Sequence, residues 1–316
     1  MAEMTERERV MAAVKGKPVD RVPVSFYREN HTIERSPESI AIHLLKQNRS
    51  FGWDFIKVQL SSTYYGEAWG CKYRWNSASV PVLDDYVIKT ADDFRKLRKL
   101  DPTTGILSDQ VRVARLLGEN VKGKLVYVQT VFSPLAVAAK LAGSLLRTPT
   151  EAHMIKRFMN EKPDALHYGL SVISQTLADY AREVIRAGAE GMFLTTHMWS
   201  RDVLTEEEYT IFGRPYDLPI FEAALEEGAN FNILHICREN IMLDLFSDYP
   251  VQVINYDVRS PRNPSLKEAI RRTDKAFWGG LGQKTTLLTG PAESITAEVH
   301  SALEQTGGRR FILGPG

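Results

Sequence analysis

Residues 230–257 read NFNILHICRENIMLDLFSDYPVQVINYD. An apolar run from Asn230 to His235 gives way to a helical pattern from Ile241 to Ser247, and a second β-branched run follows from Val251 to Tyr256. That strand–helix–strand order is the alternation a βα unit requires. It continues in both directions: further candidate strands are Arg21 to Phe26, Phe55 to Leu60, Lys124 to Gln129, Gly191 to Thr195, Ala276 to Leu281 and Arg309 to Leu313. Helical patterns lie between them, among them Pro134 to Leu146, Asp164 to Ala187, Pro215 to Glu227, Leu266 to Arg272 and Ala292 to Gln305. Eight such units favour a closed (β/α)8 TIM barrel over an open sheet.

Two elaborations are expected. Thr5 with Glu8 forms a capping box that starts an N-terminal helix running to Lys15. The segment Tyr64 to Lys89, rich in Tyr, Trp and Val, reads as an inserted β-hairpin after the second strand. Neither repeats nor linkers divide the chain, so residues 1–316 are expected to form a single barrel domain. The eighth strand is followed only by Gly314, Pro315 and Gly316. The helix that ordinarily follows is missing, so either the N-terminal helix covers the gap or a natural tail has been lost.

With 40 basic and 39 acidic residues the formal net charge is +1, which gives no global field for nucleic acid or an anionic membrane. No apolar run approaches the ~20 residues of a membrane helix, and the start MAEMTERERV lacks a signal-peptide core. A cytoplasmic protein is expected, and in that reducing setting Cys71 and Cys237 are expected to stay unpaired. Gly279-Gly280-Leu281-Gly282 has neither the Lys-Ser/Thr of a P-loop nor dinucleotide spacing, so nucleotide cofactors are not supported.

Active sites of this architecture lie at the carboxyl ends of the strands. Polar residues expected there are Tyr27 and Arg28, Gln59 with Ser61 and Ser62, Gln129 and Thr130, His197, His235 and Cys237, Asn255 and Asp257, and Gln283. His235 and Cys237 carry the sharpest signal, because residues i and i+2 of an extended segment point to the same side. An imidazole and a thiolate aimed at one point suit zinc; the alternative is a buried thiol beside a satisfied histidine. His197 is a candidate to hydrogen-bond substrate or else packs under Trp199. Glu67, among Tyr64, Tyr65 and Trp69, is a candidate to orient substrate or ligate a metal. Asp257 is a candidate to pin a ligating imidazole, or else caps the next loop. Cys71 reads as structural.

The stretches Arg21-Val22-Pro23-Val24, His235-Ile236-Cys237, Asn255-Tyr256-Asp257, Gly279 to Gln283 and the terminal Phe311 to Gly316 resemble the uroporphyrinogen decarboxylase superfamily over nearly the whole chain. The decarboxylases carry Arg-Gln-Ala-Gly-Arg after the first strand, to bind the carboxylates of a porphyrinogen. Phe26-Tyr27-Arg28-Glu29-Asn30 stands here instead, with one arginine followed by a glutamate. The sequence is more similar to the methyltransferase branch, which exchanges methyl groups with a corrinoid and binds zinc through His-x-Cys and a distant Cys.

The resemblance implies zinc on His235 and Cys237, with a third ligand expected immediately after Gly316. It implies a corrinoid carried by a separate partner protein, since no Asp-x-His-x-x-Gly corrinoid signature is present. Glu67, His197 and Asp257 are the expected catalytic residues; Tyr27, Arg28, Tyr65, Gln129, Asn255 and Gln283 the expected substrate contacts. The expected activity is zinc-assisted methyl transfer between a small substrate (a methoxylated aromatic, a methylamine or a thiol) and cobalt. The alternatives are a cofactor-free decarboxylase and a barrel that binds without turnover.

Overall fold

The strands are short because each spans only the wall of a barrel. A computed structural model describes residues 3–316 except 60, 62, 77–78 and 145–151. Leu60, Ser62 and the end of the helical pattern at Leu146 therefore lie outside the described residues. The strands are β1 (Phe55–Val58), β2 (Lys72–Asn76), β3 (Ser79–Asp85), β4 (Val126–Phe132), β5 (Gly191–Thr196), β6 (Ile233–Ile236), β7 (Val253–Tyr256), β8 (Ala276–Leu281) and β9 (Phe311–Pro315). All but β2 and β3 form one parallel sheet in the order β1-β4-β5-β6-β7-β8-β9. Its two edge strands are joined through residues 23–25, which gives a TIM-barrel-like α/β fold.

That seam corrects the expected first strand, Arg21 to Phe26. Only Val24 bridges Leu313, flanked by Leu313 N donating to Pro23 O at 2.9 Å and Ser25 N to Leu313 O at 3.0 Å. On the other side Asp54 N donates to Val24 O at 2.8 Å. Pro23 has no N–H to give a ladder, and Val24 N is taken by the Asp54 carboxylate at 2.7 Å. A longer strand therefore cannot form.

The helices are α1 (Glu6–Val14), α2 (Pro37–Phe51), α3 (Tyr64–Ala68), α4 (Gly105–Val121), α5 (Pro134–Leu141), α6 (His153–Glu161), α7 (Pro163–Arg186), α8 (Glu206–Phe212), α9 (Arg214–Glu226), α10 (Leu266–Ala269), α11 (Thr286–Thr289) and α12 (Ala292–Thr306). The expected capping box of Thr5 and Glu8 starts α1. The pattern from Ile241 to Ser247 yields only a 3-10 turn at Leu243–Phe246. The expected hairpin is confined to β2 and β3. Its first residues form α3, where Tyr65 OH accepts from Phe132 N at 3.0 Å and Tyr64 lies 6.1 Å from the Tyr180 ring. Gly66 is required there: a side chain would begin 2.2 Å from Tyr73 OH.

Alternation along the strands builds the interior. Phe55, Val126, Val128, Phe193, Ile233, Val253, Ala276, Trp278 and Ile312 pack together, and Val10 and Val14 of α1 join them. Helix α1 thus fills the barrel's amino-terminal end. It is pinned by Arg9, which donates to Asp20 at 2.7 Å and to fully buried Asp54 at 2.6 Å. Among the described residues no helix is long and apolar enough to cross a membrane.

Candidate active site

Strand β6 places Ile233 in the core and, by the two-residue repeat, sends His235 to the same side one step nearer the carboxyl end. His235 sits opposite Asn255 of β7, and its Nδ1 lies 2.5 Å from Asn255 Oδ1. The Asn255 amide has no freedom to flip, because Nδ2 donates to Trp278 O at 2.7 Å and to Pro315 O at 2.9 Å. Oδ1 can only accept, so Nδ1 carries a proton, and Nε2 is the nitrogen left to donate toward the thiolate when the ring is protonated or to offer a lone pair when it is neutral. The ring is braced by Phe193, stacked at 5.2 Å and 21°.

Cys237 follows, with its N donating to Thr196 O at 3.0 Å and its Sγ 3.6 Å from Thr195 Oγ1. Burial pushes this thiol up, but His197 and His235, through the positive charge and N–H donors they present when protonated, outweigh burial and hold it well below the ordinary thiol range. His197 faces the thiol beside the Phe132 ring, 5.3 Å away, and its Nδ1 is buried without a partner. His197, His235, Cys237, Asp257 and Gln283 share one cavity of about 280 Å³ with Lys284 and Gly316.

An oriented imidazole lone pair and a thiolate are the donors a borderline-soft cation takes, so the pair fits zinc in kind. It fits in part, since among the described residues no three His, Cys, Asp or Glu side chains meet as a metal-holding group.

The other expected site residues divide. Tyr27, Arg28 and Gln283 line an adjoining cavity of about 670 Å³ with Phe26, Lys284, Leu287 and Leu288. Gln283 and Lys284 belong to both cavities. Glu67 lies apart: it accepts from Thr63 Oγ1 at 2.5 Å and from Arg35 at 3.2 Å, and lines a separate cavity with Leu100, Asp101 and Ile106. Tyr65 is buried against Thr130 and Phe132. Gln129 points outward from β4, its Nε2 donating to Tyr180 OH at 2.8 Å.

Asn255 is fully buried, so it holds His235 rather than meeting solvent. Asp257 accepts from Arg259 N at 3.0 Å, which leaves to Asn255 the orienting task expected of Asp257. One inward residue escaped the sequence reading: Lys57 of β1, whose Nζ lies 4.4 Å from the Tyr27 ring centroid. Its signal was the alternation Phe55, Lys57, Gln59 within FIKVQL.

Comparison with known proteins agrees with this architecture. Methylcobamide:CoM methyltransferase MtaA of Methanosarcina barkeri is 23% identical over 100% of this chain and 93% of its own length. Uroporphyrinogen decarboxylase of Prochlorococcus marinus is 24% identical over 78% of this chain and 69% of its own length. A solved methyltransferase from Methanosarcina mazei superposes with a TM-score of 0.81 at 20% identity, covering 99% of this chain and 93% of that one. The resemblance to the methyltransferase branch drawn from the residues agrees with the full-length relatives. The family model described as uroporphyrinogen decarboxylase (URO-D) matches residues 5–316, and the chain belongs to that family.

Proposed function

We propose that this protein is a zinc-assisted methyltransferase of a corrinoid-dependent system, with residues 1–316 acting as one catalytic domain. The observation that carries the proposal is the His235–Cys237 pair, its imidazole oriented by Asn255 and its thiol held well below the ordinary thiol range, opening into one cavity at the carboxyl end of the barrel. When bound there, zinc would supply Lewis acidity, favouring the thiolate of an acceptor or the departure of a donor heteroatom. His235 would contribute Nε2 and Cys237 its sulfur. His197 stands beside the sulfur with an unpartnered Nδ1, placed to donate to or accept from a bound substrate.

The wider cavity lined by Tyr27, Arg28, Leu287 and Leu288 joins the first through Gln283 and Lys284. A small methyl donor or acceptor would sit at that junction, with the corrinoid of a separate partner protein approaching from the wider side. The stretch Phe26 to Asn30 contains one arginine, which disfavours a multiply anionic porphyrinogen.

The test is methyl transfer from methylcobalamin to a thiol, followed by the cobalamin absorbance, together with metal analysis. The expected result is turnover with about one zinc per chain, both lost in His235→Ala and Cys237→Ala. Conversion of uroporphyrinogen to coproporphyrinogen by a metal-free protein would replace this reading with decarboxylation.

A further inference from the structure

Two imidazoles stand beside the Cys237 sulfur, and the barrel holds them by different means. The His235 ring is fixed through its own nitrogen by Asn255. The His197 ring has no such bond at Nδ1, which is buried without a partner among the described residues, and it rests against the Phe132 ring at 5.3 Å. Its place therefore depends on its backbone. That backbone lies one residue past the last pair of the β5–β6 ladder, Thr196 with Ile236. A side chain reaches it there: Arg238 Nε donates to His197 O at 2.7 Å.

Arg238 is itself in an unusual conformation. Its φ of +79° lies in the left-handed region, where a Cβ crowds the following carbonyl and glycine is the residue of least strain. Such a backbone persists only where its surroundings over-determine it, and here they do. Asn263 Nδ2 donates to Arg238 O and to Asp257 O, each at 3.0 Å, and Asn263 Oδ1 accepts from Ile241 N at 3.2 Å. Next along the chain, Glu239 O accepts from Ser200 Oγ at 2.6 Å. The turn alone would be better served by glycine, so the strain is accounted for by what the side chain does. It borders the cavity shared by His197 and Cys237 and binds the His197 carbonyl.

We propose that Arg238 is a positioning residue of the site: it straps the loop after β5 to the loop after β6, and by holding the His197 carbonyl it keeps the His197 imidazole against the Cys237 sulfur. This rests on reading the His235–Cys237 cavity as the active site. The acting group is the Nε–H and not the positive charge, and substitution separates the two. Glutamine carries an uncharged N–H donor at the same distance from the backbone as Arg Nε, whereas methionine carries a methyl group there.

The test is the rate at which iodoacetamide alkylates Cys237 at neutral pH in the full chain, with a chelator present and the modified residue located by mass spectrometry. Arg238→Met should slow alkylation about tenfold as the imidazole leaves the sulfur, and Arg238→Gln should keep the wild-type rate. On a His197→Ala background, adding Arg238→Met should change nothing further, because the strap acts through His197. An unchanged rate in Arg238→Met would overturn the proposal. So would equal slowing in Arg238→Gln, which assigns the effect to charge, or the same slowing with His197 absent. Should Arg238→Met not fold, Arg238→Gly removes the same donor while relaxing the backbone, and it must show the same dependence on His197. Alkylation needs neither metal nor methyl transfer, so the two readings separate. Coupling of Arg238 with His197 in a protein without turnover keeps the strap and removes the methyltransferase, whereas turnover of methylcobalamin without coupling does the reverse.

Discussion

Replacing Asn255 separates the orientation of His235 from the stability of the barrel. The side chain is completely buried and makes three contacts: Oδ1 with His235 Nδ1, and Nδ2 with the carbonyls of Trp278 and Pro315. Asn255→Ala strands all three partners. At about 1 kcal/mol for each carbonyl, which keeps a second lone pair, and about 2 for the imidazole N–H, the loss is roughly 4 kcal/mol. For a chain of this size that lowers the melting temperature by about 6 °C.

Asn255→Asp keeps an acceptor for Nδ1 but turns a carboxylate oxygen toward two carbonyls. It should be at least as destabilised, yet keep the ring oriented. Zinc affinity, measured by competition with a chromogenic chelator, should fall 10–100-fold in Asn255→Ala, the range found for partners of ligating histidines. It should fall by no more than about threefold in Asn255→Asp. Equal zinc affinity in wild type and Asn255→Ala, or an unchanged melting temperature, would refute the reasoning.

Cys237 should react with iodoacetamide at a rate that levels off well below the ordinary thiol pKa, because its thiolate already dominates there. Cys71, whose thiol burial pushes up, should not react in the folded protein; a rate still climbing through the ordinary thiol range would contradict this. Arg9→Met should cost about 3 kcal/mol in urea unfolding near neutrality, toward the low end for a broken buried pair because Arg21 still pairs with Asp54. Arg9 holds the Asp20 carboxyl far below its usual range. The stability it contributes is therefore complete above the ordinary carboxylate pKa and is lost progressively as pH falls from there through the depressed value, so the gap to wild type should narrow in acid. Gly314→Ala would set a methyl 2.2 Å from Trp278 Nε1 and 2.3 Å from Ser25 O. A loss of about 3 kcal/mol and an altered near-ultraviolet dichroism are expected, and native stability would show that the seam can open.

What sequence could and could not reveal follows from the range of the interactions involved. Periodicity is local, so the run of strands and helices around residues 230–257 was legible, as was the convergence of His235 and Cys237 two residues apart. The first strand was not, because its ladder is broken by Asp54, about thirty residues away, whose carboxylate takes the N–H of Val24. Register between strands is equally invisible: only the pairing of His235 with Asn255 tells that this amide, rather than Asp257, faces the imidazole. Parity along a single strand was available and sufficed for two further assignments. Gln129 falls out of phase with inward Val126 and Val128, so it had to point away from the pocket. Lys57 falls in phase with Phe55, so an amine had to enter the barrel. An inward lysine in an apolar strand is costly to bury.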